Sequence, residues 1–314
     1  MGAMKTVFMF SGQGSHYFQM GRPLFDADPV FRERLLQLDA VAQRVAGLRV
    51  LEAIHGSGKA ETFDRTLLTH PAIFMLEVAL AQRLMHDGLQ PDLVLGASLG
   101  SFAAAVIAGH LDAGDAMAAV IEQARAFEAA CAPGGMVAVL GDPRLHEEDF
   151  LHRRSELAGI NFDGHFVVSA AQAELEPIEA GLKLRGVTYQ RLAVSFAFHS
   201  RHADAARERF TAFMRQLPRA GGTLPLVCCA QARTLDRLPD DFFWHAVREP
   251  LRFRDAVRHL EAQGAHRYVD LGPSGTLATF VKYALPPGSA SRAHAILTPY
   301  GQDLKNLAAL RAAC

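Results

Sequence analysis

The sequence predicts an α/β protein built on a parallel sheet, with a smaller α/β unit inserted into it. Three observations lead there. Short apolar runs alternate with amphipathic stretches over the first 134 residues, the signature of β-α-β units. The rhythm then changes to β-α-β-β-α-β, the order of a ferredoxin-like split βαβ unit. A helix–strand alternation afterwards resumes to the end. The expected division is a larger unit from residues 4–134 and 196–314 with a small subdomain at 135–195.

The elements follow in order. "KTVFMF" is a buried strand entering the glycine-rich "SGQGS". "AIFMLEVALAQRLMHDG" has helical spacing and stops at a glycine, "PDLVLGAS" is a second strand, and "SLGSFAAAVIAG" a small-residue helix. In the insert, "GMVAVLG" is a strand, "EEDFLHRRSEL" a helix, "AGINFDG" and "HFVVSAAQ" two strands, "AELEPIEAGLKLRG" a helix and "TYQRLAV" a strand. The chain returns through the helix "DAARERFTAFMRQL", the strand "PLVCCA", the helix "FRDAVRHLEAQG" and the strand "RYVDLG".

Composition excludes several classes. Among 314 residues, 32 basic and 33 acidic side chains are interspersed to a net charge of −1, which favours neither nucleic acid nor an anionic membrane. Cys131, Cys228, Cys229 and Cys314 show no C-x-x-C spacing, so a reducing compartment without disulfides is expected. No leader pattern opens the chain and no apolar run reaches the roughly 18 residues of a membrane span, so a cytoplasmic protein is expected. Residues 1–3 are set aside from the fold reasoning.

Gly96-Ala97-Ser98-Leu99-Gly100 satisfies G-x-S-x-G between a strand and a helix, the setting in which a serine hydroxyl is pushed into the open. A strand–turn–helix junction with an inert serine would carry the same letters. A nucleophilic serine needs a base. Of 14 histidines, His199 is singled out because "QRLAVSFAFHS" reads as a strand ending there, whereas His202 falls in the next helix. No Asp or Glu stands out as a third member, so backbone carbonyls are expected to hold the ring. The "SGQGS" loop should emerge on the same sheet edge as Ser98, and the backbone N–H groups of Gln13 and Leu99 are its candidate oxyanion donors. The loop is neither a dinucleotide nor a P-loop fingerprint.

Taken in order, "FSGQGSHYFQMG", "GASLG", "PGGMVAVLG", "INFDGHFVVSA", "SFAFHS", "REPLRFRDAV" and "LGPSGTL" resemble the malonyl-CoA:acyl-carrier-protein transacylase family, which includes the acyltransferases of polyketide synthases. The resemblance implies an α/β-hydrolase-like domain with a ferredoxin-like subdomain. It assigns Ser98 as nucleophile, His199 as base and Gln13 and Leu99 as oxyanion donors. Phe127, Phe198 and Asn161 are implied as substrate-binding residues. Ala97 and Ser101 depart from the histidine and glutamate common around the family's serine. A third departure concerns the arginine that grips a malonyl carboxylate. Spacing back from Met136 puts Gln123 at that position and Phe127 at the apolar position four later. Arg125 lies about 200° around the helix, so the two cannot face one pocket, and a shift of two residues in the count would restore the arginine.

Relatives with this substitution resemble the acyl hydrolases of polyketide assembly lines. The expected activity is therefore removal of neutral acyl groups from an acyl carrier protein. No cofactor is expected beyond the phosphopantetheine that the substrate brings from the carrier protein or coenzyme A. The partners expected are an acyl carrier protein and its acyl thioester, with no nucleic acid, no membrane and a monomeric state. A malonyl transferase and a non-catalytic docking module are the alternatives. Arg248, Arg252, Arg254 and Arg258 are candidates for attracting an acidic carrier.

Overall fold

The computed structural model describes residues 4–56 and 63–313. Residues 1–3 and Cys314 lie outside them. The strands are β1 (Lys5–Phe10), β2 (Leu93–Gly96), β3 (Gly134–Leu140), β4 (Glu156–Phe162), β5 (His165–Ala171), β6 (Thr188–Arg191), β7 (Leu226–Cys228), β8 (Arg233–Leu235), β9 (His266–Asp270) and β10 (Arg292–Ala295).

Six strands form the larger sheet in the order β10-β9-β1-β2-β7-β8. All pairings are parallel except β7 with the edge strand β8. The run "VFMF" in β1 is continuous in hydrophobicity because both faces of this sheet are covered. Phe8 and Phe10 enter one core and Val7 and Met9 the other, as a period of two requires. One core includes the helix Thr66–His86, almost wholly buried, and the other the helix Phe253–Glu261. Each fully buried large apolar side chain contributes about 1.5–3 kcal/mol. Phe10 pairs with Gly96, so the loops after β1 and β2 leave the same edge side by side.

The smaller sheet is antiparallel, in the ferredoxin-like order β4-β5-β3-β6. Val137, Val139, Phe166 and Val168 pack on Leu175, Ile178 and Leu182 of the helix Gln172–Leu184. The mixed α/β architecture expected from the sequence is therefore present.

Several local expectations are corrected. "EEDFLHRRSEL" is not one helix: a 3-10 turn, Pro143–Glu147, and a single turn, Asp149–His152, precede β4, which already includes Glu156 and Leu157. Pairing of Glu156 with Ser169 on β5 outweighs the helical propensity of the segment. The segment leading to His199 is not a strand either. β6 stops at Arg191, and the chain continues as a loop. "DAARERF" opens as a 3-10 helix, Arg201–Ala206, before the helix Arg207–Met214. The edge strand β8 and the final strand β10 were not read from the sequence.

Candidate active site

β2 ends at Gly96, and the helix Gly100–Ile107 begins after the tight turn through Ser98. Ser98 has φ +55°, a left-handed conformation uncommon outside glycine. Such a residue carries about 1–3 kcal/mol of strain, here held by surrounding bonds. The Ala97 N–H donates to the Phe10 carbonyl at 2.9 Å and the Ser101 N–H to the Ser98 carbonyl at 3.0 Å. A Cβ on Gly96 would lie 2.5 Å from Ser101 Cα, and one on Gly100 would overlap the Phe10 carbonyl. Both glycines are thus packing requirements of the turn. Ala97 points into the core with Val227 and Cys229, and Ser101 donates to the Gly96 carbonyl at 3.4 Å. Neither departure touches the Ser98 hydroxyl.

His199 also has a positive φ, +58°. Its N–H donates to the Val247 carbonyl at 3.0 Å, which fixes the loop. The ring lies between two oxygens, with Nδ1 2.7 Å from the Glu249 carbonyl and Nε2 2.8 Å from Ser98 Oγ. Because a carbonyl only accepts, Nδ1 carries the proton and Nε2 is left as acceptor for the serine hydroxyl. Burial pushes the His199 pKa down to about 4; the Glu249 carbonyl pulls it up and the Arg248 charge lowers it further. The imidazole is neutral at physiological pH and able to take a proton. His202 instead lies in the following turn, its N–H donating to the Oγ of the capping Ser200 at 3.3 Å.

The loop after β1 closes on this pair. A Cβ on Gly12 would meet Ser98 Cβ at 2.9 Å, so only glycine allows the approach. Gln13 is anchored through its side chain, with Nε2 donating to Thr69 Oγ1 at 2.7 Å. Among the described residues, neither the Gln13 nor the Leu99 backbone N–H donates to another backbone group. A partly exposed hydroxyl bonded to a neutral imidazole, with two unused N–H groups in the adjoining turns, has the components that attack on a carbonyl requires.

Behind the pair, Phe198 packs on Phe127 with ring centroids 4.8 Å apart. Gln123, one turn before Phe127 on the helix Ala113–Ala130, is 1% exposed, and neither its amide oxygen nor its nitrogen has a partner among the described residues. Arg125 is on the other side: its side chain is 38% exposed, with Nη1 4.0 Å from Glu122. The helix therefore presents a neutral amide inward and its arginine outward. His70, whose ring centroid lies 5.7 Å from that of Phe198, is enclosed, and burial lowers its pKa to about 3. Around Phe198, next to His199 in the chain, aromatic rings thus pack with the uncharged His70 ring. A cavity of about 490 Å³ opens beside the loop, with Tyr17, Phe18 and Phe63 on one side and residues 192–195 on the other.

Residues 7–313 match the acyl transferase domain family. The chain belongs to this family. It is 44% identical over 304 residues to the polyketide biosynthesis acyltransferase homolog PksD of Bacillus subtilis, covering 96% of this chain and 94% of PksD. To the polyketide biosynthesis protein ThaF of Burkholderia thailandensis it is 38% identical over 305 residues, 95% of this chain but 26% of ThaF. Among solved structures, a loading acyltransferase from the avermectin modular polyketide synthase superposes with a TM-score of 0.88 at 26% identity, covering 98% of this chain and 99% of that one. A malonyl-CoA:acyl carrier protein transacylase from Xanthomonas oryzae gives 0.84 at 27% identity, with 98% and 99% covered.

Other residues of this acyltransferase-family chain are placed differently from expectation. Asn161 sits in β4 with its amide 3.0 Å from His165 Nδ1, and no hydrogen bond joins it to Ser98 or His199. The four arginines are paired with local acids: Arg248 with Asp204 at 2.6 Å, Arg252 with Asp255 at 3.0 Å, and Arg254 and Arg258 with Asp163 at 3.1 and 2.9 Å. They form ion pairs rather than an open basic patch. Among the described residues no cluster of three or more His, Cys, Asp or Glu side chains could hold a metal, and no helix is long and apolar enough to cross a membrane. Sequence reasoning missed Thr69, His70 and Glu249. The first two lie inside an apolar run, and Glu249 acts through a backbone carbonyl that no side chain advertises.

Proposed function

We propose that this family member is a serine acyl-enzyme catalyst that hydrolyses neutral acyl thioesters carried on the phosphopantetheine arm of an acyl carrier protein in polyketide biosynthesis. Ser98 Oγ attacks the thioester carbonyl while His199 Nε2 takes its proton. The Gln13 and Leu99 N–H groups receive the developing oxyanion, each such donor being worth about 3–4 kcal/mol. Protonated His199 then gives its proton to the departing thiol. The neutral ring next takes a proton from water, which attacks the Ser98 ester, and returns it to the departing Ser98 Oγ as the acid is released.

The observation that carries the choice of substrate is the buried, uncharged Gln123, one turn before the Phe127 ring that packs on Phe198. A malonyl carboxylate facing an amide instead of a bidentate guanidinium loses something like 3–5 kcal/mol, or two to three powers of ten in selectivity. An uncharged acyl chain loses nothing there. Similarity to proteins named as polyketide acyltransferase homologs supports the setting.

The test is a side-by-side assay of acetyl- and malonyl-loaded carrier protein, scoring free acid, transfer to a second carrier and the mass of the intact protein. The reading requires faster release of acetate. Preference for malonyl with transfer to a second thiol would make the chain a malonyl transacylase, and absence of any acyl adduct would leave a docking module.

A further inference from the structure

Glu77 is the one carboxyl in the apolar helix Thr66–His86, and it is 0% exposed. Its Oε1 accepts the Ser11 N–H at 2.5 Å and the Ser11 hydroxyl at 2.9 Å. Ser11 Oγ lies 3.0 Å from Ser15 Oγ, whose hydroxyl donates to the Gly12 carbonyl at 2.8 Å. Eight residues earlier, the same helix holds the Gln13 side chain through Thr69. One rigid element therefore grips the loop at both sides of Gly12, the glycine pressed against Ser98.

We propose that Glu77 is a positioning residue for oxyanion stabilisation: from beneath the loop, its carboxyl sets where the Gln13 N–H points, without touching substrate. The inference rests on the assignment of Gln13 as an oxyanion donor in the proposed function. The chemistry suits the task. Burial holds the Glu77 carboxyl well above the ordinary carboxylate range, the Ser11 hydrogen bonds pull it down, and the nearby Asp270 raises it further. Burial thus favours the neutral acid at Glu77. An ionised carboxylate under the loop would repel a developing oxyanion, whereas a neutral one supplies an acceptor for Ser11 without that cost. Asp270 faces the same place: a Cβ on Gly272 would meet Ser11 Cβ at 2.7 Å and Asp270 Oδ1 at 3.1 Å. Burial raises the Asp270 pKa to about 6, and the Gly272 and Ala278 N–H groups at 2.9 and 2.8 Å offset the charge of its carboxyl.

The experiment follows Ser98 acylation from an acetyl pantetheine thioester by rapid quench and intact-protein mass, so the final acceptor does not enter. Glu77→Leu should slow the acylation rate constant about 30- to 300-fold with KM within about twofold, the scale of one misdirected donor. Glu77→Gln keeps a neutral acceptor oxygen and should acylate within about threefold of wild type from pH 6 to 9. Wild-type rates in Glu77→Leu, an effect confined to KM, or a Glu77→Gln as slow as Glu77→Leu would overturn the proposal. If Glu77→Leu does not fold, Ser11→Ala removes one bond to the carboxyl and should slow acylation about three- to tenfold at unchanged KM; an unaltered rate would also overturn it. Acylation that persists in Ser98→Ala would instead show that the nucleophile itself is misassigned.

Discussion

At the scale of the residue, two side chains in left-handed backbone meet across 2.8 Å, Ser98 and His199. Replacing Ser98 by alanine should abolish the acyl adduct in intact-protein mass spectra and leave the melting temperature within about 2 °C, because alanine removes one oxygen from a partly exposed turn. An adduct of undiminished mass in that variant would move the nucleophile elsewhere. The pH dependence has a definite sign. His199 works in its neutral form, and burial lowers its pKa to about 4. The acylation rate should therefore stay level from about pH 8 to about pH 5.5 and fall only as the ring protonates below that, not halve near the ordinary 6.5. A midpoint near 6.5 would mean a solvated base. His199→Ala should lose about 10²–10⁴ in rate, and His202→Ala less than about twofold. The serine was legible because G-x-S-x-G encodes backbone shape, which glycines announce. That a backbone carbonyl holds the ring was legible from the lack of a third acid; which one was not, since the Glu249 carbonyl would be the same with any residue there.

At the scale of the element, the helix Ala113–Ala130 divides its polar residues by angle. Two positions separate Gln123 from Arg125, and that offset puts one side chain in the interior and the other beside Glu122. Gln123→Arg should shift the ratio of specificity constants from acetyl toward malonyl thioesters by about one to two powers of ten, less than the full carboxylate term because the new guanidinium has five donors to satisfy. Arg125→Ala should leave the ratio within about twofold. A wild type that prefers malonyl and loses the preference in Arg125→Ala would reverse the assignment. Helical period alone could separate these two residues, but nothing in it could show that the Gln123 amide lacks a partner. The loop before His199 was misread for a related reason. "QRLAVSFAF" has strand composition, yet after Arg191 its ladder with β3 breaks up into isolated bonds, the Leu192 N–H to the Met136 carbonyl and the Gly134 N–H to the Ser195 carbonyl. Propensity marks what a segment tolerates, and pairing decides what it becomes.

At the scale of the whole molecule, alternation of strands and helices carried the architecture, since each βα repeat leaves a periodic trace in hydrophobicity. Charge organisation left no such trace. "REPLRFRDAVRH" reads as basic until Asp163, distant in sequence, takes both Arg254 and Arg258. Removing that acid should free Arg258 and leave Arg254 held by Asp255 alone. Asp163→Asn is expected to strengthen association with an acidic carrier protein several-fold at low ionic strength, with a steeper salt dependence of KM, while Arg254→Ala alone changes little. Equal salt slopes for wild type and Asp163→Asn would place carrier docking away from this face.

The smaller sheet reaches the base through two backbone points. The Ser169 hydroxyl of β5 donates to the Phe198 carbonyl, and β4 brackets Leu251, with the Leu251 N–H bonded to Ala158 and the Ile160 N–H to Leu251. One clasp precedes His199 in the chain, and the other lies two residues beyond the carbonyl that orients its ring. Nucleophile and base thus ride on separate chassis, Ser98 on the parallel sheet and His199 on a strap moored to the antiparallel one. Proton transfer across 2.8 Å makes their separation a gauge of how the two sheets sit together. A chimaera that imports a relative's small sheet inherits that gauge: unless it also reproduces the moorings at Ser169, Ala158 and Ile160, the serine is left correctly folded and without its base.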